Sequence, residues 1–288
     1  MILITGSAGY IGSEICKLLE EKKIKYIGVD SLKYTYVSNI FNKKNFIKCC
    51  ISNKKKINKI LKKYKITTIL HSAAYAYVND AKNNKKKYER NNIINTRVFI
   101  ETVINNNIKN FIFLSSSNVY SDSKKSFEEN DKKKPKNFYG KTKLIIEKFL
   151  LDNKEDFNNL IVLRLFNIIG LTKKFKPKNF GNFKFQRFLF KAFYRIKKKL
   201  PLEVNFIKKK NNKLTFPCRD FVDIKDLSRL ILSIINRFKK NNSCNIYNVG
   251  SGKSFSINKI LELLKINNKK IIIKYNKFSS DEYISTKS

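Results

Sequence analysis

The sequence contains a single histidine, His71, no tryptophan, and only five cysteines among 288 residues. One histidine is too few for a histidine-based metal site, and it argues against a Ser-His-Asp catalytic triad. The cysteines are odd in number and form no Cys-x-x-Cys pair, which argues against a disulfide framework and against a zinc site. We therefore expect reduced thiols, no metal, and chemistry carried by other residue types.

Long apolar runs are also missing. None approaches the roughly 18 residues that a helix needs to cross a bilayer. There is also no secretory signal, because Met1 leads directly into Ile2-Leu3-Ile4 and then a glycine-rich turn. These features predict a cytoplasmic protein without a membrane partner.

Acidic residues are scarce: 22 Asp and Glu stand against 62 Lys and Arg, for a formal net charge of +40. Such a charge suggests a nucleic-acid partner. The lysines are, however, spread along the whole chain and mixed with Asn and Ile, the residues favoured by AT-rich codons. No lysine run is interleaved with aromatic residues as in a single-strand binding surface. We therefore predict no specific nucleic-acid partner.

Short apolar segments alternate with amphipathic ones through the first 170 residues. This alternation predicts an α/β fold with a Rossmann-like, doubly wound parallel sheet. We expect strands near 1–5, 26–29, 46–47, 68–70, 111–114 and 160–165, and long helices near 86–106 and 137–151. The domains expected are a larger one, 1–170 with 222–240 returning to it, and a smaller C-terminal substrate-binding lobe, 171–221 and 241–288.

A glycine-rich turn, Gly6-Ser7-Ala8-Gly9-Tyr10-Ile11-Gly12, joins the first strand to the first helix. Glycines allow a tight turn and let a pyrophosphate approach the backbone, where the helix amides and dipole favour its charge. The spacing is GxxGxxG and not GxGxxG. Asp30 ends the second strand, where an acid can bind both ribose hydroxyls and repel a 2′-phosphate, so we predict NAD. The alternative is that Asp30 is a turn or helix-capping residue.

Tyr139 and Lys143 are four residues apart, on one face of a predicted helix. A phenol with a pKa near 10 is a poor base, but a neighbouring ammonium favours the phenolate. Before them, Ser115-Ser116-Ser117 ends a predicted strand and offers a hydroxyl for the same substrate oxygen. This order of features predicts a general base, Tyr139, in an NAD-binding domain.

Further segments follow in a fixed order: 71–78 (HSAAYAYV), 91–96 (NNIINT), 113–120 (FLSSSNVY), 163–167 (LRLFN), 219–227 (RDFVDIKDL) and 247–250 (YNVG). From residue 1 to about 255, the ordered set resembles the extended short-chain dehydrogenases/reductases, that is, the NAD-dependent epimerase/dehydratase family, and most closely its UDP-glucose 4-epimerase branch.

The resemblance implies three groups of site residues. The implied catalytic residues are Ser116, Tyr139 and Lys143. The implied cofactor-binding residues are Gly6, Gly9, Tyr10, Ile11, Gly12, Asp30, Ile51, Ala73, Ala74, Asn92, Tyr139 and Lys143. The implied substrate-binding residues are Ser116, Tyr139, Phe166, Asn167 and Arg219, of which Asn167 and Arg219 would hold the diphosphate.

Several positions depart from the family pattern. Cys50 stands where an Asp usually binds adenine, Phe221 where a Tyr could contact the phosphates, and Ala76 where some epimerases have a lysine. The chain ends at Ser288, earlier than is usual in the family, so we expect a truncated lobe. The late arginine segment is reduced to Lys277-Phe278-Ser279-Ser280-Asp281.

The activity that the resemblance implies is C4 epimerisation of a UDP-hexose, UDP-glucose or UDP-galactose, by an NAD-dependent homodimer in nucleotide-sugar and galactose metabolism. Dehydration is disfavoured, because Ser117 and Asn118 replace the acidic pair of the related dehydratases. The alternatives are another nucleotide-sugar enzyme (a UDP-glucuronate decarboxylase, another epimerase or a reductase) or a non-catalytic NAD-sensing or RNA-binding protein.

Overall fold

The computed structural model describes residues 1–121, 126–170, 188–208, 214–238, 243–267, 271–277, 285 and 287. Within them the strands are β1 (Ile2–Thr5), β2 (Tyr26–Asp30), β3 (Phe46–Lys48), β4 (Thr68–His71), β5 (Asn110–Ser116), β6 (Asn159–Leu165), β7 (Asn167–Ile169), β8 (Leu202–Lys208), β9 (Leu214–Thr215), β10 (Cys218–Asp223), β11 (Ser243–Val249), β12 (Ser254–Ser256) and β13 (Ile273–Lys277).

The helices follow the strands in alternation through the first half of the chain. They are α1 (Tyr10–Glu21), α2 (Lys54–Lys63), α3 (Val78–Asn83), α4 (Lys85–Tyr88), α5 (Asn95–Ile104), α6 (Phe138–Asp152), α7 (Phe188–Lys197), α8 (Ile224–Asn236) and α9 (Ile257–Asn267). The long helix predicted near 86–106 is divided, because a π-helical segment, Glu89–Ile94, separates α4 from α5.

Seven parallel strands form the central sheet in the order β11-β6-β5-β4-β1-β2-β3. The order reverses beside β1, as in a doubly wound dinucleotide-binding sheet, so the predicted fold class is confirmed. Strand β1 is buried along its whole length, because helices cover both faces of the sheet. This explains why the strand sequences are apolar runs without alternation.

One part of the predicted domain division is wrong. Residues from 241 onward were expected in the lobe, but β11 pairs with β6 along its full length, from Ser243 opposite Asn159 to Val249 opposite Leu165. Strand β11 is the edge of the sheet and mostly half-buried or exposed, so its sequence has no apolar run to reveal it. The other domain boundaries remain predictions.

Two cores lie on opposite faces of the sheet. Ile100 of α5 and Ile146 of α6 belong to one, and Ile15 of α1 and Leu227 of α8 belong to the other. Because the strands are parallel, their carboxyl ends meet at one edge of the sheet, where Asp30 and Ser116 lie. This edge is where the fold brings the predicted site residues together.

The C-terminal part of the chain adds two small sheets, with the strand orders β12-β10-β7 and β13-β8-β9. The second sheet packs with α7 and α9 around a separate apolar cluster that includes Ala192, Leu202 and Leu261. In the described part of the chain, no helix combines the length and the apolar character needed to cross a membrane.

A buried ion pair joins α6 to β6 on the face of the sheet that α6 covers. The Arg164 and Glu147 side chains are 2% and 1% exposed and lie 2.8 Å apart. Arg164→Met would leave the carboxylate buried without its partner, so we expect a loss of about 3–5 kcal/mol in the free energy of unfolding. Urea denaturation measures this loss.

The matched control is Arg229→Met. Arg229 pairs with Asp226 at a similar distance, 2.9 Å, but both side chains are about two-thirds exposed. Here the expected loss is at most about 1 kcal/mol. Equal losses in the two variants would contradict the importance assigned to the buried pair.

Candidate functional site

The glycine turn at the end of β1 folds back on itself at the start of α1. Gly6 has a φ of +68°, and the Gly9 amide donates to the Gly6 carbonyl at 2.9 Å. A Cβ on Gly12 would lie 2.2 Å from the same carbonyl oxygen, and one on Gly6 would lie 2.8 Å from the Ala73 backbone. The turn therefore requires glycine at both positions and leaves the N-terminus of α1 open to an anion.

Asp30 stands beside this turn and also organises the loop that follows β2. Its carboxylate accepts hydrogen bonds from the Ala8 amide at 3.2 Å, the Leu32 amide at 2.8 Å and the Thr35 hydroxyl at 3.0 Å. Burial raises the pKa of Asp30, and these three hydrogen bonds oppose that shift. The sequence offered two interpretations of Asp30, and the structure is compatible with both. Asp30 holds the turn after β2 and also lines the cleft.

A single cleft of about 210 Å³ contains most of the predicted cofactor-binding residues. Its wall includes the three glycines, Asp30, Tyr10, Ile11, Ile51, Ala73, Ala74, Tyr139 and Lys143. Exposed Cys50 also lines it, at the position where the family usually has an Asp. An open helix N-terminus, a glycine turn and a carboxylate together suit a dinucleotide.

Tyr139 and Lys143 lie one turn apart on α6, as the four-residue spacing predicts. The Lys143 ammonium donates to the Leu114 carbonyl at 2.7 Å and lies 6.0 Å from the Tyr139 ring centroid. Both residues are buried. Burial lowers the pKa of Lys143 to about 7, while the Glu147 carboxylate acts in the opposite direction. A lysine that exchanges its charge near neutral pH is suited to help a phenol gain and lose a proton.

The beginning of α6 is tied to the serine segment at the end of β5. Asn137 caps the helix by accepting from the Gly140 amide at 2.8 Å, and its amide group donates to Asn118 at 3.0 Å. Asn118 in turn donates to the Ser116 hydroxyl oxygen from its backbone at 3.2 Å and from its side chain at 3.0 Å. Because Ser116 accepts twice, its own proton can point to a substrate oxygen.

The neighbouring Ser115 has a different environment. Its hydroxyl donates to the buried Glu147 carboxylate. The cleft wall itself includes Ser115 and not Ser116, which lies one residue further along the strand end. Ser116, the predicted catalytic serine, thus lies beside the cleft. Its neighbour Ser115 lines the cleft but is hydrogen-bonded to buried Glu147.

Asn92 is buried and holds the backbone of the segment that lines the cleft. Its amide accepts from the Tyr75 amide and donates to the Tyr75 carbonyl, both at 2.9 Å, and also donates to Thr142 of α6 at 3.3 Å. Its neighbour Asn91 is the residue on the cleft wall. The cofactor contact predicted for Asn92 remains a prediction, and Asn91 is a candidate that the sequence pattern did not select.

The predicted substrate residues lie around the small sheet next to the cleft. Asn167 is opposite Phe221 in the β7–β10 pair and donates to the Asp220 carbonyl at 3.0 Å, while Arg219 donates to the Cys218 carbonyl at 2.9 Å. Phe166 is buried in an aromatic cluster with Tyr120. None of these three belongs to the wall of the described cleft. Residues 171–187, the first part of the predicted lobe segment 171–221, lie outside the described residues, and so do residues 278–281 of the late 277–281 segment.

A cluster of tyrosines on the cleft wall was missed from the sequence. Lys87 forms an ion pair with Asp80 at 2.9 Å, and its ammonium lies 4.7 Å from the Tyr34 ring centroid and 5.1 Å from that of Tyr75. Tyr34 and Tyr75 contact each other edge to face. In the sequence, this cluster is visible only as tyrosines that follow Asp30 and Ala73. Tyr34 and Tyr75 are 41 residues apart, and the fold brings them into contact.

His71 ends β4 beneath the cleft and is buried. Thr5 Oγ1 lies 2.9 Å from its Nδ1, and Thr96 Oγ1 lies 3.5 Å from its Nε2. Burial, and then the charge of Lys143, lower the pKa of His71 to about 3. Between pH 5 and 8 the ring therefore stays neutral, because its folded pKa lies below this range. It serves as a packed core residue there.

Because the chain has only one histidine, ¹H NMR can follow this ring without assignment. We expect its ring C–H shifts to stay constant from pH 8 to pH 5 in the folded protein. An unfolded sample in urea should titrate near the ordinary value of about 6.5. A folded-state midpoint near that value would contradict the buried, neutral assignment.

Among the described residues, no group of three or more His, Cys, Asp or Glu side chains is arranged to hold a metal ion. The site consists instead of a glycine turn, a carboxylate, a serine, a tyrosine and a lysine around one edge of a parallel sheet.

A model described as "NAD dependent epimerase/dehydratase family" matches residues 2–250. A UDP-arabinose 4-epimerase of Arabidopsis thaliana is 28% identical over 281 residues, which cover 92% of this chain and 66% of that relative. A UDP-glucose 4-epimerase of Dictyostelium discoideum is 28% identical over 283 residues, 92% of this chain and 80% of that relative. This chain spans about two thirds of the length of the UDP-arabinose 4-epimerases that it matches.

Among solved structures, the UDP-glucose 4-epimerase of Brucella ovis in complex with NAD superposes with a TM-score of 0.89 at 24% identity. The superposition covers 100% of this chain and 89% of that chain. At this identity the likeness shows a common fold.

Proposed function

This chain belongs to the NAD dependent epimerase/dehydratase family, and we propose that it inverts C4 of a UDP-sugar, with UDP-glucose and UDP-galactose as its substrate pair. The observation that carries the proposal is a coincidence in one cleft. Tyr139 and Lys143 line the same cleft as the glycine turn and Asp30. A tyrosine and a lysine that can act as a base thus lie in the same cleft as a turn and a carboxylate that suit a dinucleotide.

The residues of the cleft fit NAD. The N-terminus of α1 and the turn at Gly9 and Gly12 would receive the pyrophosphate, because backbone amides and the helix dipole favour negative charge there. Asp30 would accept hydrogen bonds from the ribose hydroxyls and repel a 2′-phosphate. Tyr10, Ile11, Ile51, Ala73 and Ala74 would line the remaining wall, with Asn91 or Asn92 on the far segment.

Tyr139 would accept the proton of the sugar 4-hydroxyl. The Lys143 ammonium would favour the phenolate, and Ser116 would hydrogen-bond the same oxygen as it becomes a carbonyl. The chemistry that bound NAD supplies is reversible acceptance of the C4 hydrogen as hydride. The 4-keto sugar would turn over in the pocket, C4 would regain the hydride on its opposite face, and Tyr139 would return the proton to the oxygen, so there is no net oxidation of the sugar and the cofactor is not consumed.

The nucleotide end of the substrate would lie near the small sheet. We assign the diphosphate to Asn167 and Arg219, because a guanidinium can donate two parallel hydrogen bonds to phosphate oxygens. Phe166, buried beside β7, would support this segment from below. In this proposal Phe221 provides fewer phosphate contacts than the Tyr of the family pattern, because it lacks the hydroxyl group.

A second candidate substrate is a UDP-pentose. The observation that favours it is that a UDP-arabinose 4-epimerase of Arabidopsis thaliana is 28% identical to this chain. The UDP-glucose 4-epimerase of Dictyostelium discoideum has the same identity, 28%. Both candidates have the same chemistry at C4 and would use the same Tyr139, Lys143 and Ser116. The two sugars differ at C5, because a pentose lacks the C6 hydroxymethyl group of a hexose.

The test is a panel of UDP-sugars incubated with the purified protein and NAD, with product identification by NMR. The panel contains UDP-galactose, UDP-glucose, UDP-arabinose, UDP-N-acetylglucosamine and UDP-glucuronate. We expect UDP-galactose to give UDP-glucose without net consumption of NAD. Release of carbon dioxide or net reduction would assign a decarboxylase or a reductase instead. No product from any sugar, with NAD bound, would refute the enzymatic proposal.

The proposed assembly is a homodimer formed by the helical segments near 86–106 and 138–151. Its support is two exposed apolar side chains on these segments, Ile94 at 53% and Ile145 at 40% exposure. Sedimentation velocity distinguishes a dimer from a monomer. Replacing both isoleucines with lysine should give a monomer, because a dimer would then have to bury four unpaired ammonium groups.

A further inference from the structure

Three functional groups on α6 lie one helical turn apart. Tyr139 is followed after four residues by Lys143, and Lys143 after four more by Glu147. Residues at this spacing are neighbours on one face of a helix. Glu147 is buried, at 1% exposure, and the proton transfer described above does not use it.

Glu147 connects the helix to the two strands beneath it. Its carboxylate accepts from the Ser115 hydroxyl of β5. It also accepts from Arg164 of β6, from Nε at 3.2 Å to both oxygens and from Nη2 at 2.8 Å. Arg164 in turn donates from Nη1 to the Tyr120 hydroxyl at 2.6 Å and to the Glu129 carbonyl at 2.8 Å.

Stability alone does not account for this arrangement. Burying two charges costs several kcal/mol per ion, and apolar residues often replace such a pair without loss of stability. The location is more informative. Ser115 lies between Leu114, whose carbonyl accepts from Lys143, and Ser116, the proposed catalytic hydroxyl.

We propose that Glu147 is a positioning residue of the active site, which favours the charged form of Lys143 beside Tyr139 and fixes the strand end that carries Ser116. The proposal rests on the proposed function, because it concerns the base that performs the proton transfer. Glu147 acts through Lys143 and Ser115 and touches neither the sugar nor the cofactor.

The other charges around Lys143 make Glu147 decisive. His71 of β4 is neutral, since its pKa is lowered to about 3. Arg164 of β6 is positive and disfavours a second positive charge nearby. On α6, Tyr139 becomes negative only once it has lost its proton. Burial lowers the pKa of Lys143, and the Glu147 carboxylate raises it.

The test measures the ionisation of Tyr139 in the full-length protein without NAD or sugar. Phenolate absorbance is recorded against pH for the wild type and for Tyr139→Phe, and their difference isolates Tyr139 from the other tyrosines. The same pair is measured in a Glu147→Gln background. The control background is Glu14→Gln, which removes a buried glutamate that pairs with Lys17 on α1, at the opposite face of the sheet.

We expect Glu147→Gln to raise the midpoint of the Tyr139 phenolate titration by about one pH unit or more, the usual effect of a neighbouring charge. The reason is that Lys143 loses its charge at lower pH once the carboxylate is gone. The control should leave the midpoint unchanged. An unchanged midpoint in folded Glu147→Gln protein would overturn the proposal.

Glu147→Gln leaves Arg164 buried beside an uncharged amide, so circular dichroism must first show that it folds. If it does not, Glu147→Asp is titrated instead, since it keeps the charge but withdraws the carboxylate by one methylene. A midpoint raised by less than one unit supports the proposal, and a wild-type midpoint overturns it. These titrations need no substrate, so their result is independent of the sugar panel. A panel without product would refute the enzymatic function, but the effect of Glu147 on Tyr139 could still be measured.

Discussion

Tyr139→Phe is expected to lower kcat by about 10²–10⁴-fold, the usual contribution of a positioned acid or base. The substitution removes only the hydroxyl from a buried ring, at 8% exposure, so the packing around α6 should be kept. NAD affinity should change little, because the glycine turn and Asp30 are untouched. Steady-state rates of UDP-sugar interconversion measure the first quantity, and isothermal titration with NAD measures the second.

The matched control is Tyr247→Phe, which removes a hydroxyl from an exposed tyrosine on the edge strand β11. Its kcat should equal that of the wild type. If Tyr139→Phe keeps kcat within a few-fold of the wild type, another group accepts the proton, and the proposed role of Tyr139 is wrong. If Tyr139→Phe lowers kcat and also loses its affinity for NAD, Tyr139 acts mainly in the cofactor site.

Gly12→Ala is expected to weaken NAD binding by about 10–100-fold, the equivalent of about 1–3 kcal/mol for a methyl group forced into a packed site. The added Cβ would lie 2.2 Å from the Gly6 carbonyl oxygen, a distance that the turn can relieve only by moving. The same turn forms the proposed pyrophosphate site. Isothermal titration with NAD measures the effect directly.

Ser13→Ala serves as the control at the next position of α1. It removes one hydrogen bond, from the Ser13 hydroxyl to the Tyr10 carbonyl at 3.3 Å, and adds no atoms. Its NAD affinity should stay near that of the wild type. Equal affinities for Gly12→Ala and the wild type would show that the turn tolerates the methyl group and does not define the cofactor site.

Features that depend on local sequence were predictable. The glycine turn, Asp30 at the end of β2, and Tyr139 with Lys143 on α6 are each fixed by the period or ending of one element. The order of these elements was then sufficient to predict a doubly wound sheet, because parallel strands need helical crossovers. The family resemblance added the identity of the serine, Ser116.

Features that depend on contacts between distant segments were not predictable. The pairing of Glu147 with Arg164 joins a helix to a strand, and neither residue is unusual in its own segment. The contact of Lys87 with Tyr34 joins residues 53 positions apart. Strand β11 lies at the edge of the sheet, so it lacks the apolar run that reveals the buried strands.

The choice between Asn91 and Asn92 shows a further limit of sequence patterns. Both lie in the π-helical segment Glu89–Ile94, where side-chain directions depart from the regular 3.6-residue period. Asn91 therefore lines the cleft while Asn92 holds the backbone of Tyr75. A periodic pattern cannot assign the two directions in such a segment.

We propose that C4 is inverted by transient oxidation in the cleft that contains Tyr139 and the glycine turn. The most direct measurement uses UDP-galactose carrying deuterium at C4, incubated with the protein and NAD in ordinary water. We predict UDP-glucose that retains the deuterium at C4, because the hydrogen leaves and returns as hydride within one closed site. Product in which solvent hydrogen has replaced the deuterium would contradict this account.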